Sequence, residues 1–159
     1  KVLEEQIKVV GGNPQVLPFS EVYPALQQGV VDATENPLSN FYNSKFYEAQ
    51  SSLTLSSHGY LGYLVVMSEK FWKGLPDDMK AHVTQALKEA TAFEREETAK
   101  EEEHILSELK KFASETKKLE IIELNADQKG KWAEAMKPIY PNFYNVIGQD
   151  LVEKTINTK

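Results

Sequence analysis

The stretch Leu53-Thr54-Leu55-Ser56-Ser57-His58-Gly59-Tyr60-Leu61-Gly62-Tyr63-Leu64-Val65-Val66-Met67 decides the fold class. Its first three residues read as a short extended piece. From Tyr60 to Met67 the chain is rich in β-formers and apolar at both parities, the pattern of a central strand buried on two faces. Just downstream, Leu75-Pro76-Asp77-Asp78 opens a helix. Proline suits the first turn, and the two acids face the positive end of the helix dipole. Met79, Val83, Ala86, Leu87, Ala90 and Phe93 form its apolar stripe. The stripe fades through the charged run Glu94–Glu103 and resumes at Ile105, Leu106, Leu109 and Phe112, so one long helix with a solvated middle is expected.

Outward from this centre, helices and strands continue to alternate. Leu119–Leu124 reads as a strand, and Asn125 with Gln128 caps a helix that carries Trp132 and Met136 and stops near Pro138. A last helical stretch runs from about Pro141 to Ile156, broken near Gly148. Upstream, a helix over Val2–Val10 is stopped by Gly11-Gly12-Asn13-Pro14. Ser20 caps a second helix that Gly29 ends. Val30-Val31-Asp32-Ala33 reads as a brief buried strand, and a helix is expected over Leu38–Phe46. No repeat or low-complexity segment interrupts the pattern. The fold class is α/β.

Composition narrows the function. The 159 residues are 41% hydrophobic and 26% charged, as in an ordinary globular domain or two small lobes. Eighteen Lys and Arg against 24 Asp and Glu give a net charge of −6. That balance opposes a nucleic-acid grip, which needs a basic face to displace counterions. The absence of cysteine removes thiolate nucleophiles and cysteine-based metal sites. No apolar run approaches the roughly 18 residues that span a bilayer. The chain opens without Met on a helical pattern already under way, so it is expected to be truncated at its start, with any signal peptide outside it.

Catalytic motifs are missing. There is no G-x-S-x-G elbow, no H-E-x-x-H, and Gly11-Gly12 ends a helix rather than beginning one, the wrong polarity for a phosphate. Glu97, Glu101 and His104 share a helix face, but a di-iron helix pair needs a second such motif. His82 falls on the polar side of the same helix. Both are expected to be solvated, and neither a metal nor a cofactor is called for.

Two loops carry stronger signals. Asp32-Ala33-Thr34-Glu35-Asn36-Pro37 places acid, amide and proline at the end of the expected short strand. The Asn36 amide could donate to a carboxylate without adding charge, or it could cap the following helix with Pro37 at its first position. His58-Gly59-Tyr60 lies between two apolar strands, where α/β proteins place ligand contacts; a turn with a satisfied His and a packed Tyr would look the same. Phe19, Tyr23, Phe41, Tyr42, Phe46 and Tyr47 crowd the first third of the chain, as core or as the wall of a ligand cleft.

Taken in order, Pro18-Phe19-Ser20-Glu21-Val22-Tyr23, Ala25-Leu26-Gln27, Gly29-Val30-Val31-Asp32, Glu35-Asn36-Pro37, Lys45-Phe46-Tyr47-Glu48 and His58-Gly59-Tyr60 resemble the extracytoplasmic solute receptors of TRAP transporters. The stretch Leu53–Tyr63 is most similar to the dicarboxylate-binding branch, and Phe71-Trp72 with Leu75-Pro76 also agrees, so the resemblance covers essentially the whole chain. It implies part of a two-lobed, periplasmic-binding-protein-like α/β fold that closes on a small organic acid and delivers it to a TRAP membrane permease. Residues 1–60 would belong to the second lobe, 61–113 to a returning strand and a long helix crossing both lobes, and 114–159 to a C-terminal strand and helices; the N-terminal lobe would be absent.

By the same resemblance Phe19 is the aromatic that packs on the ligand and Asn36 the amide that hydrogen-bonds its carboxylate. Glu35, His58 and Tyr60 stand near the cleft. The arginine that pairs with the carboxylate in such receptors would lie shortly before Lys1; Arg95, the only arginine here, is in the long helix. The chain alone is therefore expected to bind weakly and, through its apolar strand, to self-associate. A sensor of the same build, regulating a membrane histidine kinase, and an enzyme are the competing classes. The lack of a matched acid–base pair weighs against the enzyme.

Overall fold

The computed structural model describes residues 1–158. In chain order its elements are helices α1 (Val2–Val9), α2 (Phe19–Gln27) and α3 (Leu38–Asn43), strand β1 (Ser52–Leu55), helices α4 (Glu69–Gly74) and α5 (Asp77–Thr116), strand β2 (Glu120–Glu123), and helices α6 (Ala126–Met136), α7 (Tyr144–Ile147) and α8 (Gln149–Ile156). Short 3₁₀ segments cover Phe46–Glu48 and Lys137–Phe143. Strands β1 and β2 pair as a two-stranded sheet.

The elements gather into two compact units, each assembled from separated parts of the chain. The first comprises Lys1–Thr34, Leu53–Gly59 and the chain from Ile121 onward. Helix α1 packs on α6 and on the 3₁₀ segment that follows it, and α8 lies against α7 and that same segment. Ala25, Leu26, Met136 and Ile139 are buried here. Two helix ends in this unit follow directly from glycine. At α1, Gly11 adopts a φ of 88° and donates to the Lys8 carbonyl at 2.9 Å, while Gly12 donates to Ile7 at 2.9 Å. At α2, Gly29 adopts a φ of 69°, donating to Leu26 at 3.2 Å, and Val30 donates to Ala25 at 2.9 Å. Both are Schellman closures, in which the left-handed residue turns the last amides back onto open carbonyls.

The second unit comprises Glu35–Ser52 and Tyr60–Glu120. Helix α3 lies on α5. Phe41, Phe46, Ile105, Leu109 and Leu119 are its buried apolar side chains. Ile105 and Leu109, four residues apart on one face, are 1% and 0% exposed. Burying each contributes about 1.5–3 kcal/mol. The remainder of α5 is clothed mainly in charge, and Phe93 in its middle is 66% exposed. The units cut across the expected sequential segments 1–60, 61–113 and 114–159, since each gathers separated parts of the chain.

Four local expectations are corrected. Val30–Ala33 forms no strand: the Val30 amide is held by the helix closure and Val31 donates to the same Ala25 carbonyl at 3.4 Å, so these donors are not free for a ladder. Leu61–Met67 forms no strand either. A strand exists only through its neighbours, and β1 and β2 make the only sheet among the described residues. Ser20 sits inside α2, whose cap is Pro18 with its fixed φ of −55°. The helix expected over Leu38–Phe46 ends at Asn43, and Lys45 at a φ of 56° turns the chain into the 3₁₀ segment. By contrast, the cap at Asn125 forms as expected: its side chain accepts from the Gln128 amide at 2.9 Å, and the Gln128 side chain accepts from the Asn125 amide at 2.9 Å.

Candidate ligand-binding site

Phe19 is the first residue of α2, placed there by the extended Pro18, and is 52% exposed. His58 lies in the same unit, in the loop that leaves β1. It is half-buried, its Nδ1 stands 2.6 Å from the Ser56 Oγ, and its ring faces Trp132 with centroids 5.6 Å apart and planes at 51°.

Glu35, Asn36 and Tyr60 belong to the second unit. Glu35 is exposed and Asn36 half-buried, directly ahead of α3. Pro37 occupies the cap position of that helix with ψ of 153°, and no side chain caps it. The helix therefore starts one residue later than a cap at Asn36 requires. Tyr60 is 95% exposed at the head of the irregular run to Met67, so its side chain joins no packed group in this chain.

Sequence reasoning missed two neighbours of His58, Ser56 and Trp132. Ser56 carries no assignment of its own in the sequence, and Trp132 is expected only as part of the helix that Asn125 caps. Nothing local could pair Trp132 with His58, since the two meet through tertiary packing of distant parts of the chain. The Trp132 indole Nε1 is buried without a hydrogen-bond partner among the described residues.

The charged middle of α5 behaves as a solvated face. Lys100 bridges Glu96 at 2.8 Å and Glu97 at 2.9 Å. Hydrogen bonds to those two carboxylates, Glu96 first, hold its ammonium above the usual lysine range. His82 and His104 are exposed, and no group of three or more potential ligands able to hold a metal occurs among the described residues. A shallow hollow beside α4, lined by Ser68, Lys70, Phe71, Gly74 and Leu75, contains none of the candidate residues. No helix among the described residues is long and apolar enough to cross a membrane.

The family model of the DctP type, described as bacterial extracellular solute-binding protein family 7, matches residues 1–146. The chain is 40% identical over 152 residues to the C4-dicarboxylate-binding periplasmic protein DctP of Rhodobacter capsulatus, covering 96% of the chain and 44% of that protein. It superposes at a TM-score of 0.87, with 58% identity, on a TRAP periplasmic solute-binding protein from Sulfurospirillum deleyianum crystallised with succinate, covering 99% of this chain and 51% of the other. A second succinate-bound receptor, from Shewanella oneidensis, gives a TM-score of 0.83 at 37% identity, over 96% of this chain and 49% of that one. The chain thus spans about half the length of the relatives it matches. On the family match and these likenesses, the chain belongs to bacterial extracellular solute-binding protein family 7.

Proposed function

We propose that the protein is an extracytoplasmic receptor that binds a small C4-dicarboxylate-like acid and hands it to a TRAP-type membrane permease. The observation that carries this reading is the 58% identity and 0.87 TM-score shared with a receptor that holds succinate. Within it, Asn36 donates its amide to a ligand carboxylate, Phe19 packs on the ligand, and His58 stands near the cleft. Glu35 and Tyr60 stand at the margin of the site. The amide of Asn36 and the ring of Phe19 suit recognition of an acid better than its turnover. Metal and cofactor take no part in this reading.

In the whole receptor the chain contributes about half of a two-lobed fold. Residues 1–60 lie in one lobe, the run Leu61–Met67 pairs as a strand in the other, and α5 crosses both. Its 40 residues, about 60 Å at 1.5 Å per residue, support such a span. The exposed run from Tyr60 to Met67 supports the companion proposal that this chain in isolation self-associates.

Calorimetric titration of the full-length protein with succinate, malate, fumarate, a keto acid and a sugar acid tests the reading. Tight binding of a C4 acid, with no turnover, supports it. Absence of heat from every acid overturns it.

A further inference from the structure

We infer that Ser57 is a positioning residue, whose left-handed backbone turns the loop after β1 so that the His58 ring lies against Trp132. The consequence for binding rests on the carboxylate-receptor reading, whereas the turn itself rests on local geometry.

Three non-glycine residues among the described ones adopt a positive φ: Lys45 at 56°, Ser57 at 51° and Lys117 at 59°. A Cβ crowds the backbone there, so residues other than glycine, asparagine and aspartate seldom take it. Two of the three have a local reason. Lys45 follows α3 and donates its amide to the Tyr42 carbonyl at 2.9 Å, and Lys117 follows α5 and donates to Ala113 at 3.0 Å. Both close a helix end, where a left-handed residue is a common device. Ser57 closes no helix. It is exposed, in the loop that leaves β1.

The cause lies on either side of it. Ahead of Ser57, β1 is paired with β2, and the Ser56 amide turns back to the Thr54 carbonyl at 3.1 Å. Behind it, the half-buried His58 ring faces Trp132 at 5.6 Å. Trp132 is carried by α6, whose start is fixed by the Asn125–Gln128 capping box. The contact of 2.6 Å between Ser56 Oγ and His58 Nδ1 spans the turn. With both ends held, the residue between them takes the reversal. Gly59 does not take it, although nothing lies within 4 Å of where its Cβ would stand. A reversal at Gly59 would come after the ring and could not set its place. Sparse backbone conformations of this kind persist where the surroundings over-determine them, and they gather at ligand sites.

The test combines ¹H NMR and calorimetry on the full-length protein. Without ligand, the Trp132 ring current should displace the His58 ring protons from those of the exposed His82 and His104. Ser57→Pro fixes φ near −65° and should return them to the reference values. Ser57→Gly reaches the left-handed region freely but many other regions too. If it keeps the seated turn a third to a tenth of the time, dicarboxylate binding weakens about three- to tenfold, while the urea midpoint does not fall. Ser57→Asn, which tolerates the left-handed region, should keep both the displaced protons and the parent affinity. Parent ring protons that match the references, or a Ser57→Pro or Ser57→Gly variant with parent-like protons and affinity, overturn the inference. So does a Ser57→Gly variant whose urea midpoint falls along with its affinity, the mark of a merely structural role. The ring protons are read without ligand, so failure of the parent to bind any acid tells against the receptor reading alone.

Discussion

Tyr47 meets Phe112 edge to face, with ring centroids 4.9 Å apart and planes at 66°. The contact ties the aromatic cluster after α3 to the last quarter of α5. Tyr47 also stacks on Tyr42 at 5.7 Å and approaches Phe41 at 6.5 Å, while Phe41 meets Phe46 edge on at 6.4 Å. The aromatics that crowd the early sequence are thus divided between tasks. Phe41, Phe46 and Tyr47 build a core around Ile105 and Leu109, and Phe19 is left at the surface.

This division predicts unequal costs along α5. Leu109→Ala should destabilise the protein by about 2–5 kcal/mol, the range for emptying a closed core position. Phe93→Ala should change stability by less than about 0.5 kcal/mol, as surface substitutions do. Urea unfolding of both variants checks the contrast. Equal losses would mean that the middle of α5 is packed.

Tyr47 should also set part of the alkaline limit of stability. Burial first, then the neighbouring Glu48 charge and Tyr42, push its phenol above the ordinary tyrosine range. A raised folded pKa means the native state keeps its proton longer than the unfolded chain. The stabilisation is complete below the unfolded value of roughly 10 and is lost as pH rises through the folded one. Melting temperature followed from pH 9 upward should fall less steeply in Tyr47→Phe than in the parent. Identical slopes would contradict the assignment.

The Asn125 cap offers a cleaner local test. Asn125→Ala removes an acceptor for the Gln128 amide and should cost about 1 kcal/mol. Asn125→Ser should recover most of it. Urea unfolding of the two variants reads the difference, and an unaltered midpoint in Asn125→Ala would deny the cap any role in stability.

The run from Tyr60 to Met67 predicts the behaviour of the 159-residue chain on its own. Leu64 is 89% and Val66 85% exposed, and Val65 between them is 75% exposed. Sedimentation of the chain should show association that grows with concentration, and Leu64→Lys with Val66→Lys should reduce it. A monomer at all concentrations would count against exposed apolar surface as a driver.

These features differ in how legible they were in the sequence. Helix stops at Gly11-Gly12 and Gly29, and the cap at Asn125, are decided by a few adjacent residues, and they appear where the sequence puts them. The run Leu61–Met67 has the composition of a central strand, yet strand formation depends on a partner that no local pattern encodes. Val30 and Val31 carry the same β preference, but the closure of α2 claims their amides first. Asn36 and Pro37 are ambiguous in the sequence because an amide before proline suits either a cap or a ligand, and the start of α3 at Leu38 puts Pro37 at the cap position. Ser56 lies two residues from His58, so their bond was within reach of local reasoning; Trp132 was not.

The central claim is that Asn36 reads a carboxylate in the bound acid. The most direct measurement is calorimetric titration of succinate into the full-length protein and into Asn36→Ala. Loss of a hydrogen bond to a charged group costs about 1.5–3 kcal/mol, so the variant should bind at least roughly tenfold more weakly with its fold intact. Equal affinity in the two proteins would contradict the account.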